Sequence, residues 1–302
     1  MNYIVGIDGG GTKTTLEIRS LQNELVKRKD FGAFNINSTG EAVFEKLLSE
    51  LCKELDPIKD CRCLCIGAAG ISNPKVHQMI AEALHKYGFE GSLLLKGDHE
   101  IALQGAFGKA EGIILIAGTG SICYGRSRDG SIIRAGGWGH IIDDGGSAYA
   151  IARDAFSAVV QSCDGRRGGT LLKEYLFQQL RIQKVEELVP FLHHPQTDKG
   201  AIAAFAPIVE KAAAEGDAAA QEIVSRNAGL LLELLKAVAK KLNQPLSKVA
   251  LLGGMLSHPT MLRQRVIDGM NSNGSGLEYT EPLGDAVDGA VAMALETAGE
   301  QR

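Results

Sequence analysis

The chain begins with an apolar run that leads into an acid, three glycines and a lysine between two threonines: Ile4-Val5-Gly6-Ile7-Asp8-Gly9-Gly10-Gly11-Thr12-Lys13-Thr14-Thr15-Leu16-Glu17-Ile18. The apolar run and the alternating run after the lysine predict two strands joined by a tight turn. Glycines let the backbone turn sharply and present its N–H groups to an anion. Asp8, at the strand end, is placed to hold a hydrated magnesium ion beside a phosphate. The alternative is an ordinary glycine-rich hairpin, but the positions of the acid and the lysine favour phosphate binding.

This loop differs from the P-loop of many nucleotide-binding proteins. In the P-loop a Gly-Lys pair follows the first glycine at a longer spacing, and a helix comes next. Here Lys13 follows Gly11 by two positions, and the next segment is strand-like. A nucleotide bound at this loop would therefore lie among hairpins.

Composition limits the kind of protein. A length of 302 residues predicts about two domains with ample core, and a net charge of -4 argues against nucleic-acid binding, which needs a basic surface. No apolar run approaches the roughly 20 residues of a membrane helix, and a strand that begins at Tyr3 leaves no room for a signal peptide. We expect a cytoplasmic protein that binds neither nucleic acid nor membrane.

The cysteines do not follow a metal-finger spacing. Cys61, Cys63 and Cys65 alternate, so a strand would place all three on one face. A zinc or iron–sulfur site is one interpretation, but a buried apolar face is favoured because free cysteine is among the most buried residue types.

The rest of the chain alternates predicted strands and helices, which predicts an α/β fold. Residues 3–31 predict three strands, followed by a loop at 32–40. Further strands are predicted at 61–66, 92–95, 113–117, 122–126, 132–134, 248–252 and 277–280. Helices are predicted at 41–55 (with Val43, Leu47, Leu48 and Leu51 on its apolar side), 75–87, 100–107, 148–160, 201–242 (as two helices broken at 214–217), 259–271 and 285–299.

Residues 113–134 repeat the layout of residues 3–31: strand, Gly/Thr turn, strand, polar turn, strand. Two similar halves would place two Gly/Thr turns across one cleft. The turn Gly118-Thr119-Gly120-Ser121 nearly fits a dinucleotide fingerprint, but it lacks the third glycine and is followed by a strand. The glycine turns all follow predicted strands, at the ends where ligands of open α/β sheets bind.

These motifs together carry a resemblance to a known family. Asp8-Gly-Gly-Gly-Thr-Lys-Thr, Asn35, Asp98, Gly118-Thr-Gly-Ser, Gly137-Trp-Gly-His, Asp144 and Gly253-Gly254 occur in an order and at spacings that span nearly the whole chain. In these features the chain resembles the N-acetylglucosamine kinase branch of the BadF/BadG/BcrA/BcrD family, within the actin, sugar kinase and heat-shock chaperone superfamily.

The resemblance implies a fold of two actin-like (ribonuclease H-like) lobes, with ATP and sugar in the cleft between them. The N-terminal lobe would contain residues 1–110, together with a C-terminal helix at about 288–302 that returns to it. The C-terminal lobe would contain residues 111–287. It further implies a kinase that uses ATP and Mg²⁺ to phosphorylate an amino sugar, most directly N-acetylglucosamine to its 6-phosphate, and that forms a homodimer, as relatives often do.

The resemblance also implies roles for individual residues. Asp98 would be the catalytic base and a substrate ligand, and Asp8 the metal ligand. The nucleotide would contact Gly10, Gly11, Thr12, Lys13, Gly118, Thr119, Gly120, Gly253 and Gly254. The sugar would contact Asn35, Thr119, Gly137, Trp138 and Asp144.

Each of these side chains also has a structural interpretation. Asp98 could cap the helix that follows it, and Asp143 or Asp144 could cap the helix at Ala148. Asn35 could be a turn former. Trp138 could be plain core, although the three glycines around it favour a wall of the cleft, and a structural role is favoured for His140.

One departure from the family pattern concerns the sugar side. The family usually has Gly-Asp-Glu-Gly-Ser where this chain has Asp143-Asp144-Gly145-Gly146-Ser147, so the glutamate is replaced by Gly145. N-acetylglucosamine, glucosamine and N-acetylmuramic acid all stay open as substrates. Gly145 would give room for the lactyl ether of a muramic sugar.

Two other functions compete with the kinase. Relatives in the same family activate dehydratases through an iron–sulfur cluster held between two subunits by cysteines near glycine-rich loops. Cys123 and Cys163 are the nearest candidates in this chain, but the sequence around them does not match that of the relatives. A sugar-sensing regulator would usually carry a basic helix-turn-helix, whereas this chain begins directly at its first strand. The related ROK kinases carry a cysteine-rich zinc motif that is absent from this sequence, which argues against membership of that branch.

Overall fold

A computed structural model describes residues 2–11, 13–34, 36–109, 111–243, 246–271 and 276–300. Its strands are β1 (Tyr3–Gly9), β2 (Thr14–Ser20), β3 (Leu25–Phe31), β4 (Cys61–Ala68), β5 (Ser92–Lys96), β6 (Gly112–Ala117), β7 (Ser121–Arg126), β8 (Ile132–Gly136), β9 (Ser247–Leu252) and β10 (Leu277–Tyr279). Its helices are α1 (Ile36–Thr39), α2 (Glu41–Lys53), α3 (Pro74–Lys86), α4 (Asp98–Phe107), α5 (Ala148–Cys163), α6 (Leu171–Leu180), α7 (Leu188–Leu192), α8 (Lys199–Ala203), α9 (Ala206–Ala214), α10 (Ala218–Leu242), α11 (Met261–Met270) and α12 (Ala286–Glu300). Short 3₁₀ turns lie at Ile58–Asp60 and Val185–Glu187.

The chain folds into two compact units. Unit 1 contains Met1–Ala110 and Pro282–Arg302, and unit 2 contains Glu111–Glu281. The chain thus crosses into unit 2 once and returns to unit 1 after Glu281, ahead of the expected boundary at 287. In unit 1, α12 packs on α4 and β1.

The two units share one sheet topology, which confirms the repeat predicted from the sequence. The strand order is β3-β2-β1-β4-β5 in unit 1 and β8-β7-β6-β9-β10 in unit 2. In each unit the first three strands are antiparallel, and the last two run parallel to the first. The α/β class is therefore confirmed, with two mixed sheets.

Alternation along β1 builds the core of unit 1 on both faces of its sheet. Val5 and Ile7 point to one face and pack with α2 and α3, whereas Ile4 points to the other and packs with α4 and α12. Since β1 is apolar on both faces, it lies in the middle of the sheet. This central position places the glycine loop after β1 at the carboxyl edge of the parallel strands.

The core of unit 2 is built mainly from helices against one face of its sheet. Ile113 and Leu115 of β6 are fully buried with side chains of α5, α9, α10 and α11. The long α10 supplies buried residues every three or four positions, the spacing of one helix face.

Cys61 departs from the prediction that three cysteines share one face of a strand. All three thiols are buried, as expected. However, the register of β4 against β1 shifts between Tyr3 and Ile4, where Arg62 is the extra residue. This bulge turns Cys61 toward α2 and α3, whereas Cys63 and Cys65 face α12. The prediction of one shared face was therefore wrong for Cys61.

Three further predictions about local structure were wrong. The predicted loop at 32–40 contains the single turn α1, closed by a hydrogen bond from the Gly40 N–H to the Ile36 carbonyl. In α2, Val43 is 54% exposed and Phe44 takes its place in the core. Residues 199–242 form α8, α9 and α10 rather than two helices, although the break at 215–217 lies where it was predicted.

Among the residues that the structure describes, no helix has the length and apolar character needed to cross a membrane.

Candidate active site

The loop between β1 and β2 is a tight turn. The Gly10 N–H donates to the Lys13 carbonyl at 2.9 Å, and a Cβ on Gly10 would lie 2.7 Å from that oxygen. A side chain at this position would clash with backbone, so glycine is required. A Cβ on Gly11 would meet no atom within 4 Å, so the backbone there is open to a ligand. Thr12 lies outside the described residues.

Lys13 forms an ion pair that the sequence did not reveal. Its Nζ lies 3.0 Å from Oδ2 of Asp30 on β3, and both side chains are more than half exposed. The Thr15 hydroxyl donates to the other oxygen, Oδ1, at 2.9 Å. Hydrogen bonds from Lys13 and then from Thr15 lower the pKa of Asp30. The pair holds the Lys13 ammonium over the hairpin, next to the glycine loop.

Asp8 lies near the end of β1, paired with Thr15 on one side and Gly67 on the other. Burial, followed by the negative charges of Asp285 and Asp98, raises its pKa to about 6, against an opposing effect of Lys13. Unit 1 therefore brings Asp8 and Asp98 together at the carboxyl edge of its sheet. Such a set of negative charges would be stabilised by a cation.

Asp98 is the first residue of α4 and not its cap. Gly97 takes the cap position, and its N–H donates to the Glu100 carboxylate at 2.7 Å. The Asp98 side chain is 47% exposed, and its Oδ1 accepts a hydrogen bond from the N–H of His99 at 2.9 Å. The capping interpretation was wrong, and the carboxylate is accessible to a ligand.

Asp285 is an acid near Asp8 that sequence analysis missed. It precedes α12, accepts from the Asp288 N–H at 3.0 Å, and lies 3.3 Å from the Arg28 guanidinium. In the sequence, Asp285 was only the first residue of the helix predicted at 285–299. Asn35, the other predicted ligand from unit 1, lies outside the described residues.

In unit 2 the second glycine loop is tied to the turn that precedes α5. The Gly118 N–H donates to the Gly120 carbonyl, and the Gly118 carbonyl accepts from the Ala148 N–H at 2.8 Å. The Ser121 hydroxyl donates to the Gly145 carbonyl at 2.7 Å. Thr119, between the two glycines, is half-buried.

The Gly253-Gly254 turn lies against the same loop. Gly253 has a left-handed backbone (φ 86°), and a Cβ there would lie 2.5 Å from the carbonyl oxygen of Ala117, the residue before Gly118. A Cβ on Gly254 would meet nothing within 4 Å. The structure thus brings two predicted nucleotide-binding segments side by side.

Asp144 is buried and is paired with a lysine. Its side chain is 4% exposed, and its Oδ2 accepts from the Nζ of Lys199 at 2.6 Å. A Cβ on Gly120 would lie 3.1 Å from both of these atoms, so the pair adjoins the second glycine loop. No motif indicated Lys199, which is 55 residues away in sequence.

Ser147, and neither Asp143 nor Asp144, caps α5. Its hydroxyl accepts from the Ala150 N–H at 3.1 Å. Asp143 instead accepts from the Trp138 N–H at 3.2 Å. Both capping interpretations were therefore wrong: Asp143 bonds the preceding loop, and Asp144 pairs with Lys199.

The loop of Gly137 and Trp138 is exposed on unit 2. Trp138 is 67% exposed, with the Arg134 guanidinium 4.2 Å from its ring centre. The same guanidinium donates to the Gly137 carbonyl at 2.8 Å. Trp138 is thus outside the core, and Arg134 holds the loop beneath it.

Gly145 lies against the long helix α10. A Cβ there would lie 2.8 Å from Cδ1 of Leu230. Leu230 therefore occupies the direction that a side chain at position 145 would take, and the hypothesis that Gly145 gives room for a lactyl ether stays a prediction.

The cysteines offered for an iron–sulfur cluster are poorly placed for one. Cys123 is fully buried in the core of unit 2, and burial raises the pKa of its thiol. Cys163 is half-buried at the end of α5. Among the described ranges, no three His, Cys, Asp or Glu side chains are grouped to hold a metal ion.

Comparison with known proteins places these features in a family context. The chain is 34% identical over 301 residues to an N-acetylmuramic acid/N-acetylglucosamine kinase of Clostridium acetobutylicum, an alignment that covers 97% of this chain and 98% of the relative. It is 27% identical over 314 residues to an N-acetyl-D-glucosamine kinase of Dictyostelium discoideum, covering 97% and 98%.

Solved structures agree on the fold. A Chromobacterium violaceum protein, provisionally named an N-acetylglucosamine kinase, superposes with a TM-score of 0.78 at 25% identity, covering 98% of this chain and 99% of that one. A ROK family glucokinase of Streptomyces griseus superposes with a TM-score of 0.58 at 15% identity, covering 99% and 100%. The family profile itself matches residues 5–295, so the chain belongs to the BadF/BadG/BcrA/BcrD ATPase family.

Proposed function

We propose that this chain is an ATP-dependent kinase that phosphorylates a hydroxyl of an amino sugar, with N-acetylglucosamine and its 6-hydroxyl as the first candidate. N-acetylmuramic acid and glucosamine are the alternative substrates. The relative at 34% identity, which aligns over nearly the whole chain, is named for two of these three sugars.

The observation that carries the proposal is that Asp8 and Asp98 both lie at the carboxyl edge of the parallel strands in unit 1. Asp8 lies near the end of β1, and Asp98 follows β5 at the start of α4; in agreement, the charge of Asp98 contributes to the raised pKa of Asp8. Phosphoryl transfer needs a base for the attacking hydroxyl and a group that holds the metal-bound phosphates. Asp98 and Asp8 meet these two needs.

In the proposed reaction, Asp98 accepts the proton of the sugar hydroxyl as its oxygen bonds to the γ-phosphorus. The bond between that phosphorus and the bridging oxygen of ADP breaks, which gives ADP and a sugar phosphate. The exposed carboxylate of Asp98, at the start of α4, is open to an incoming hydroxyl. Residues that exclude water would protect the transferred phosphoryl group from hydrolysis.

Asp8 fits a Mg²⁺ ion because its carboxylate is crowded by like charge, and a divalent cation would offset that repulsion. When bound, the ion would neutralise charge on the phosphates. Asp8 would hold it, directly or through its waters.

We further assign the glycine turns to the nucleotide and the acidic loop to the sugar. The turns that contain Gly10, Gly11, Gly118, Thr119, Gly120, Gly253 and Gly254 would bind ATP, together with the Lys13 ammonium. The N–H groups of Gly10 and Gly118 close their own turns, so the other backbone N–H groups of these turns would donate to the phosphates. Asp144, Gly137, Trp138 and Thr119 would contact the sugar, Asp144 by accepting from its hydroxyls.

The test is ADP release from Mg-ATP with a panel of amino sugars, for the native chain and Asp98→Asn. The proposal expects release that requires an amino sugar and falls by about a hundredfold or more in Asp98→Asn, the low end for loss of a general base. Asp268→Asn, an exposed acid on α11, is the matched control and should keep full activity.

Two outcomes would contradict the proposal. Equal ATP turnover with and without sugar would indicate an ATPase of another kind. Full activity of Asp98→Asn would remove Asp98 as the base.

We also propose that the enzyme works in the cytoplasm as a homodimer. Six free cysteines, five of them buried, are typical of a reducing compartment. Light scattering on the purified chain would test the dimer.

A further inference from the structure

We propose that Lys199 is a positioning residue for substrate recognition: its ion pair holds Asp144 in place to accept hydrogen bonds from the sugar. The inference rests on the proposed function, in which Asp144 is a sugar ligand. Lys199 lies outside all of the sequence motifs of the family, and only folding of the chain brings it close to Asp144.

The geometry of the pair is specific. The Lys199 ammonium donates to Oδ2 of Asp144 at 2.6 Å, at the short end of charge-assisted hydrogen bonds. In the part of the chain that the structure describes, no donor bonds the second oxygen, Oδ1. One carboxylate oxygen is thus fixed by Lys199, and the other is left for a ligand.

Burial makes the ion pair important for the position of the carboxylate. The Asp144 side chain is 4% exposed and that of Lys199 is 28% exposed. Burying a carboxylate without a partner costs free energy, so without the ammonium the side chain would turn toward water. The lysine therefore keeps the carboxylate where it can accept a hydrogen bond from a ligand.

The backbone at Asp144 adds to the argument. Its φ of 67° lies in the left-handed region, which aspartate tolerates at some cost. A buried ion pair also contributes little net stability compared with apolar side chains of similar size. Strain and a buried pair at one residue are typical of functional sites, where structure is kept for recognition.

The position of Lys199 is itself fixed. It begins α8, where Asp198 caps the helix by accepting from the Ala201 N–H at 2.8 Å. A Cβ on Gly120 would lie 3.1 Å from the Lys199 Nζ, so the glycine leaves space for the ammonium. The lysine therefore reaches Asp144 past the second glycine loop.

The experiment measures KM for the sugar and KM for ATP separately in Lys199→Met, Asp144→Asn and the double variant. We expect Lys199→Met to raise the sugar KM at least about tenfold while the ATP KM changes less than about twofold. The double variant should lose much less kcat/KM than the product of the single losses, since both changes remove one interaction. Lys236→Met, an exposed lysine on α10, is the matched control.

Other results would overturn the inference. A rise in the ATP KM with an unchanged sugar KM would place Lys199 on the nucleotide. Losses that multiply in the double variant would show that Lys199 does not act through Asp144. If Lys199→Met does not fold, Lys199→Gln provides the same comparison with a polar side chain. Absence of sugar-dependent ADP release by the native chain would instead count against the proposed function itself.

Discussion

Gly253 and the carbonyl oxygen of Ala117 approach so closely that a Cβ on Gly253 would come within 2.5 Å of that oxygen. The contact joins the end of β9 to the end of β6, where the second glycine loop begins. Neither the Gly253 backbone nor the Ala117 carbonyl can move away without disturbing the parallel pairing of these strands. Here a glycine is required by contact as well as by its left-handed backbone.

We therefore predict that Gly253→Ala destabilises the chain by about 2–4 kcal/mol, from the sum of backbone strain and steric overlap. Gly254→Ala is the matched control, because its Cβ would enter open space. Chemical denaturation of both variants measures the difference. Equal free energies of unfolding would contradict the contact.

Asp8 predicts a dependence of stability on pH. Its pKa is raised in the folded chain to about 6, so the folded state binds its proton more tightly than the unfolded state does. Stability from this group is fully present below its unfolded pKa of about 4 and is lost as pH rises through about 6. Without magnesium at pH 7, Asp8→Asn should therefore be more stable than the native chain by about 3 kcal/mol.

Asp30→Asn is the control for this measurement. The pKa of Asp30 is lowered, chiefly by the hydrogen bond from Lys13, so its removal should bring no gain at pH 7. The free energy of unfolding is measured from pH 4 to 8 in the presence of a chelator. A loss of stability in Asp8→Asn at pH 7 would show that Asp8 is well solvated or paired.

Local sequence patterns predicted much of the fold. The strands around Asp8 and the second glycine loop were predicted because alternation and glycine turns are local signals. Cys61 was placed on the wrong face because its bulge is set by pairing with β1, far away in sequence. Val43 was preferred to Phe44 for the core, although only tertiary packing decides which of two adjacent apolar residues is buried.

The residues of the candidate site also differ in whether local sequence indicates them. The sequence predicts roles for Asp8 and Asp98 because each adjoins a glycine at the end of a recognisable strand. Lys199 and Asp285 were missed because their importance arises from partners 55 or more residues away, Asp144 for the first and Arg28 for the second. A single sequence contains no signal for such pairs.

Thiol chemistry should distinguish one cysteine from the others. Cys163 is half-buried, whereas the remaining five are buried. Burial raises the pKa of Cys61 and of Cys65 to about 12, which leaves little reactive thiolate at neutral pH. We predict one fast-reacting thiol in the native chain, measured with a chromogenic thiol reagent at pH 8.

Cys163→Ser should abolish this fast phase, and Cys52→Ser should leave it unchanged. In denaturant, all six thiols of the native chain should react. Two or more fast thiols in the folded chain would mean that a buried cysteine is more accessible than the structure shows.

The last prediction concerns the helix that returns to unit 1. A Cβ on Gly289 of α12 would lie 1.9 Å from the Ile101 carbonyl oxygen on α4, so the two helices cross with backbone nearly in contact. Gly289→Ala would force them apart and weaken the packing of Ala290 and Val291 on the sheet. We expect a loss of about 3 kcal/mol or more in the free energy of unfolding, as for overpacked cores. Gly299→Ala, in the same helix but with open space around its Cβ, should be neutral or slightly stabilising. If both variants unfold at the same denaturant concentration, α12 does not pack on α4 as described, and the return of the chain to unit 1 would be in error.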